Sequence, residues 1–402
     1  MARRKSDTYE LPETFVGSPE ELADAVAHMA AFRELAFDTE FVGEDTYQPD
    51  LCLIQVATRE QLFVIDPFEV GALDSFWALL ADPARVVVVH AGREEVRMCR
   101  AGLGEPPANI FDVQIAAALV GYAYPIGYAG LVSDALRIVP RKGETLTDWR
   151  RRPLSPAQIS YAYDDVRYLL SVYDKLQARI RAHDRAAWAD EEFASFLRRA
   201  LADDPSVERW RKLKGLGTLD RRGLAILREV YFWRDAVAAR GNRPSRTVLR
   251  DDLLIEIARR APQTAESVAS LRGIPRNEAA AIVEAVRRAQ ALPQQDWPEL
   301  AERDHDAPHV LLLAQLLGVV MSEWCGRNEV AASIVATTQD LKNLVRAGQP
   351  GGSLPAHFPL AAGWRGRSIL PELEAFLRGE RSLCVGDVTM RHPVKIEVRS
   401  RS

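Results

Sequence analysis

Apolar and polar residues follow two different periods along this chain, and the change from one to the other divides it. Ser18-Pro19-Glu20-Glu21 carries the marks of a helix start: an N-cap serine, a proline at the first helical position and acids in the first turn. A helix is therefore predicted to run to about Phe32. Short apolar runs then predict strands at Leu35–Val42, Leu51–Thr58, Leu62–Asp66 and Arg85–His90. The last contains Val86-Val87-Val88-Val89, a β-branched run suited to a buried central strand. Helical spacing marks Ser75–Leu80, Glu94–Ala101 and Asp112–Val120, and Ser155-Pro156-Ala157-Gln158 opens a long helical run to Ile180. Strands first, then helices alternating with strand, predict a mixed α/β sheet flanked by helices.

From Val207 onward the strand pattern fades. Glu208–Lys214, Arg221–Arg240, Asp251–Arg260, Ala265–Leu271 and Arg276–Ala291 have helical spacing with Pro and Gly punctuation between them. A linker is predicted at Leu292–Pro298. A second helical unit follows, with His309–Cys325, Glu329–Ile334, Thr338–Arg346 and Ile369–Arg378 echoing the order of the first. Residues 348–353 read as a loop, and the last stretch shows no periodic core and is expected to be a tail. The expected division is 1–200 for the α/β domain, 206–292 and 299–382 for two helical domains, and 383–402 for the tail. A chain of 402 residues is long enough for two or three such cores.

Charge sharpens this division. The formal net charge is −4, but residues 1–200 hold 22 Lys and Arg against 31 Asp and Glu, while residues 206–292 hold 18 against 10. An acidic first module fits metal chemistry, and a basic second one fits attraction to a phosphate backbone or simply a solvated helical face. With 47% hydrophobic and 27% charged residues the composition is that of a soluble globular protein, and no membrane span is expected. The charged start, Met1-Ala2-Arg3-Arg4-Lys5, has no apolar stretch after it, so no secretory signal is expected. Cys52, Cys99, Cys325 and Cys384 are scattered with no CxxC pair, which argues against a zinc site or a disulfide framework and for a cytoplasmic location.

Two acidic signatures carry the chemistry. In Phe37-Asp38-Thr39-Glu40-Phe41 the carboxylates at i and i+2 share one face of a strand. In Tyr161-Ala162-Tyr163-Asp164-Asp165 the tyrosine and the last acid, at i and i+4, share one face of a helix. Acids gathered in one place are costly unless a cation neutralises them. Hard divalent ions such as Mg²⁺ take oxygen ligands of this kind, and a pair of them is the usual device for attacking a phosphodiester with water. The chain reads as a metal-dependent nuclease.

Taken together with His90-Ala91-Gly92-Arg93-Glu94-Glu95 after the central strand, these motifs resemble ribonuclease D, a member of the superfamily of 3′→5′ exonucleases with four metal-binding acids and a tyrosine. Further supporting stretches are Thr46–Gln55, Ile110–Ala117, Leu146–Trp149, Arg152–Leu154 and Tyr161–Leu169. The basic helical unit resembles the HRDC domain of that family through Trp210–Gly215, Trp233-Arg234-Asp235, Arg243-Pro244-Ser245-Arg246 and Asp251–Leu254, and the last unit, with Gly363-Trp364-Arg365, resembles a second, divergent HRDC-like domain. The resemblance implies a ribonuclease H-like exonuclease domain followed by two all-α HRDC-like domains.

It also implies that Asp38, Glu40, Glu95 and Asp165 bind two divalent ions, Mg²⁺ or Mn²⁺, and that Tyr161 orients the attacking water. The implied reaction removes nucleoside 5′-monophosphates from the 3′ end of RNA, with tRNA precursors as the expected substrate and no protein partner expected. The sequence departs from the family at Glu95, where the family has aspartate. The longer arm leaves three outcomes: a tolerated swap, a preference for Mn²⁺, or weaker activity. Asp112 is either a substitute ligand or the N-cap of the next helix. Phe41 either stacks on the terminal base or joins the core. Thr39, Gln55, Lys142 and Trp149 are candidate substrate contacts, and Arg243 and Arg246 candidate phosphate contacts. Tyr163 is read as a packing residue, Asp164 as a surface acid and His90 as a core histidine. Two rivals remain: a DNA 3′→5′ exonuclease, disfavoured by the lack of a phosphate-binding helicase loop, and an RNA-binding protein that has lost catalysis through Glu95.

Overall fold

The computed structural model describes residues 10–141, 147–202, 209–274, 276–300, 306–355, 357–390 and 392–398. A six-stranded mixed sheet organises the first module, in the order β1-β4-β3-β2-β5-β6. Its strands are β1 (Glu13–Val16), β2 (Glu34–Val42), β3 (Asp50–Ala57), β4 (Leu62–Ile65), β5 (Val86–Val89) and β6 (Ile110–Asp112). β2, β3 and β4 form an antiparallel meander, while β5 runs parallel to β2 on one side and β1 parallel to β4 on the other. Helices cover both faces: α1 (Pro19–Met29), α2 (Asp74–Ala81) and α3 (Arg93–Leu103) on one, and α6 (Pro156–Arg167) and α7 (Leu169–Ala182) on the other. The valine run of β5 is fully interior, as its β-branched composition predicts.

Several elements depart from the sequence reading. β1 and β6 have only four and three residues and show too little alternation to be recognised. The long run opened at Ser155 is two helices that meet at Tyr168, the C-cap of the first and the N-cap of the second. α5 (Tyr128–Leu136) and α8 (Ala186–Ala202) were not foreseen. The expected tail is corrected most clearly. Arg381–Val385 (β7) and Val394–Val398 (β8) pair as an antiparallel hairpin, with Leu383 opposite Ile396 and both packed on the core. The hairpin follows the helices of the second unit and adds a small two-stranded sheet where a tail was expected. The strands have five residues each and only one covered face, so the pattern is weak in sequence.

Two hydrophobic cores hold the chain. One lies wholly within the basic helical unit, built from α9 (Arg221–Arg240), α10 (Asp251–Arg260) and α11 (Ala279–Ala291) around Trp210, Leu227 and Leu254. The other joins the sheet module to the C-terminal unit. That unit contains α12 (Pro308–Arg327), α13 (Thr338–Ala347) and α14 (Leu370–Leu377). The Trp188 and Trp364 rings stack across the seam at 4.3 Å, and Glu192 accepts from Trp364 Nε1 at 2.7 Å and from Arg365 Nη1 at 2.5 Å. Buried Arg185 donates to the carbonyls of Leu119 and Glu329. α12 is the one helix among the described residues long and apolar enough to cross a membrane, but Val310, Ala314, Leu317, Val320 and Met321 face the shared core.

Candidate active site

The acids meet at the carboxyl end of β2. Asp38 and Glu40 lie on the face covered by α6, and a bulge in the β2–β3 pairing between Glu40 and Phe41 re-aims the strand just past them. α6 is fixed at its start by Pro156 and a capping box: Ser155 Oγ accepts from Gln158 N at 3.2 Å, and Gln158 Oε1 accepts from Ser155 N at 2.8 Å. Ala162, Tyr163 and Val166 anchor its inner side. Tyr161 and Asp165 are thereby brought to the strand acids, close enough for Asp165, Glu40 and Asp38 to act on the Tyr161 phenol. Trp149, offered as a substrate contact, is buried and stacks on Tyr161 with ring centres 6.0 Å apart, so it sets the ring's position.

Glu95 arrives from the other helical layer, in the first turn of α3. The turn before it is tight: a Cβ on Gly92 would lie 2.3 Å from Val89 Cγ2. Buried Asp112 holds that turn. Its carboxylate accepts from Ala91 N and Gly92 N at 3.2 and 3.0 Å, and also caps the next helix through Gln114 N and Ile115 N. Asp112 is thus engaged as an N-cap and clamp. Thr39, on the opposite face of β2 from Asp38, donates through Oγ1 to Glu95 Oε1 at 2.7 Å. Thr39 therefore positions Glu95, a role that the sequence reading missed when it offered the residue to substrate.

Burial and the closeness of the carboxylates to one another dominate the electrostatics of the site. Burial, reinforced by Glu95, Asp165 and Glu40, drives the Asp38 carboxyl well above its ordinary range. Burial and its acidic neighbours push Glu40 to about 8, and burial pushes Glu95 and Asp165 each to about 7. The Tyr161 phenol is raised by burial and then by Asp165 and Glu40, so it is a poor base and a good positioning donor. Among the described residues no group of three or more His, Cys, Asp or Glu side chains stands arranged to hold a metal ion. Four mutually destabilising carboxylates nonetheless fit hard divalent cations, whose charge is what they lack.

The remaining candidates separate. Phe41 is 37% exposed at the rim, free on one face to meet a base. Gln55 is fully buried, with neither amide atom hydrogen-bonded, so it offers no surface to substrate. Lys142 lies outside the described residues. Tyr163 is core, as expected, whereas Asp164 is an ion-pair partner of Arg167 at 2.7 Å. His90 bonds the Ile126 carbonyl through Nε2 at 2.9 Å and packs edge-on to Tyr128. Arg243 is exposed, and Arg246 reaches the carbonyl of Glu44 in the β2–β3 loop at 3.4 Å. The same loop binds the basic unit through Tyr47 Oη to Asp235 at 2.7 Å and through Tyr47 N and Gln48 N to Asn242 Oδ1, each at 3.2 Å. This clasp joins residues nearly 200 positions apart, and no local signal announces it.

Comparison with known proteins agrees with this geometry. Residues 14–181 match the 3′-5′ exonuclease family and residues 223–287 the HRDC domain. Ribonuclease D of Granulibacter bethesdensis is 33% identical over 393 residues, covering 96% of this chain and 97% of its own. The chain belongs to the ribonuclease D family. Ribonuclease D of Acidiphilium cryptum is 34% identical over 356 residues, covering 87% and 89% of the two chains. The crystal structure of Escherichia coli RNase D, described as an exoribonuclease involved in structured RNA processing, superposes with a TM-score of 0.78 at 28% identity and covers 92% of this chain and 99% of that one. The exonuclease family is metal-dependent, and the mixed sheet followed by a helical HRDC region is the architecture of the Escherichia coli enzyme.

Proposed function

We propose that this 3′→5′ exoribonuclease binds two divalent ions, Mg²⁺ or Mn²⁺, through Asp38, Glu40, Glu95 and Asp165, and trims the unpaired 3′ ends of structured RNAs such as tRNA precursors in the cytoplasm. The observation that carries this reading is the convergence of four carboxylates, one buried and three half-buried, all titrating above their ordinary range, on Tyr161. When bound, the ions supply an activated water and charge stabilisation for the departing 3′ oxygen. The chain's own groups do the rest. Asp38 and Glu40 hold one side of the site from a rigid strand, Asp165 holds the other from α6, and Thr39 keeps Glu95 turned inward. Tyr161, backed by Trp149 and one helical turn from Asp165, presents its hydroxyl to the attacking water. Phe41 offers a ring for the terminal base, and the basic HRDC unit, clasped to the loop beside it, extends the surface for the RNA body.

The test is a time course on a 3′-tailed, 5′-labelled RNA with Mg²⁺, Mn²⁺ or chelator, beside a DNA strand of matched sequence. The expected result is an RNA ladder shortening from the 3′ end, with mononucleotide release, abolished by chelator. RNA that is bound yet stays intact in both metals would overturn the proposal in favour of a binding protein weakened at Glu95, and faster loss of the DNA strand would favour the DNA reading.

A further inference from the structure

Gln55 is the least explained polar residue of the first module. It sits in the middle of β3 at 0% exposure, between Ile54 and Val56, which are equally buried. On one side its register partner is Val64 of β4, and on the other it is Asp38 of β2. Directly opposed residues of an antiparallel pair project to the same face, so Gln55 and Asp38 both lie beneath α6. Neither Gln55 Nε2 nor Oε1 has a hydrogen-bond partner among the described residues. A buried, unsatisfied amide is costly, and a leucine of similar shape would fill the same space without that cost. Asp38 is correspondingly under-served: it accepts one bond, from Thr39 N to Oδ1 at 3.0 Å.

We infer that Gln55 is a positioning residue, whose Nε2 donates to the Asp38 carboxylate when a divalent cation fills the site and fixes that carboxylate as a ligand. The inference rests on the reading of Asp38 as a metal ligand. A donor at this place favours the ionised carboxylate and holds its orientation, the task that partners behind metal ligands commonly perform. Gln55 itself stays under the sheet surface and touches neither RNA nor metal.

Gln55→Leu and Gln55→Glu test this on the full chain. The first removes both polar atoms. The second keeps the shape and, once ionised as bound metal requires, offers only acceptors and sets a like charge beside Asp38. Both are expected to lower kcat by about 10–100-fold, with KM for RNA within about twofold. Mn²⁺ binding to the metal-free protein, measured by calorimetry, should weaken by a similar factor. The melting temperature of the metal-free Gln55→Leu protein should be equal to or above that of the unsubstituted chain. Unchanged kcat and Mn²⁺ affinity in both variants would overturn the inference. So would an activity loss matched by a lower melting temperature in the metal-free form, since that is a packing role. If the unsubstituted chain binds no Mn²⁺ and Asp38→Ala leaves its activity intact, the metal reading itself fails and takes this inference with it.

Discussion

Charge is buried at two places in this protein, and the two are handled in opposite ways. At the seam between the sheet module and the C-terminal unit, Glu192 is 3% exposed and its Oε1 accepts from both Trp364 Nε1 and Arg365 Nη1. Beside it, burial pushes Glu191 up, but bonds from Arg367 and from Trp364 N outweigh this and hold its carboxyl below the usual range. At the active site Asp38, Glu40, Glu95 and Asp165 are gathered with no arginine or lysine among the causes of their shifts, and all four titrate high. The seam carries its own counter-charges because its task is cohesion. The site, proposed to take divalent ions, sets acids beside one another, and its stability is reduced as a consequence.

This contrast can be broken by substitution. Asp38→Ala removes the acid that Glu95, Asp165 and Glu40 all act upon, so exonuclease activity should fall on the order of 10³-fold, while the metal-free melting temperature holds or rises. A lower metal-free melting temperature would place Asp38 with the structural charges. Glu192→Ala should do the reverse. Leaving Arg365 and the Trp364 indole without their buried acceptor should cost about 3–5 kcal/mol of stability, read by denaturant unfolding, with activity per folded molecule unchanged.

The pH dependence sharpens the same contrast. Glu40 at about 8 and Glu95 and Asp165 at about 7 lie above their unfolded values, so between those limits the folded, metal-free site holds more protons than the unfolded chain. Stability of the chelated protein should therefore fall as pH rises from about 5 to about 8, and the fall should be shallower in Glu40→Gln. Scanning calorimetry across that range, showing equal slopes for both proteins, would contradict the assignment. Bound metal should reverse the trend, because binding must displace these protons. A smaller effect is expected at Thr39→Val, which frees Glu95 without removing a carboxylate. Activity should drop about 10–100-fold, and the Mn²⁺ concentration for half-maximal rate should rise while KM for RNA holds.

Much of the site was legible because its chemistry lies in local spacing. Asp38 and Glu40 fall on one strand face by period two, and Tyr161 and Asp165 on one helix face by period four, so each pair could be read before any contact was known. The valine run of β5 and the capped start of α6 were equally plain. What escaped was short or non-local. β1 and β6 are too brief to show a period, the C-terminal hairpin has only one covered face, and the pause at Tyr168 breaks a run that looks continuous in sequence. Thr39, Gln55 and Trp149 were chosen for their neighbourhood to the motifs, yet each faces a partner or a core that the neighbourhood does not reveal.

The sequence by itself determined the two-part character of the chain, the sheet's central strand and the placing of each pair of acids on one face, because hydrophobic period and carboxylate spacing are local quantities. Only the tertiary structure decided that Thr39 steadies Glu95, that Asp112 is spent on backbone N–H groups, that Tyr47 clasps Asp235, and that the last helical unit shares its core with the first module across an intervening domain. Those facts depend on which distant segments the packing brings within hydrogen-bond reach, and a distance of a few ångströms between residues tens to hundreds of positions apart leaves no mark on the spacing of either.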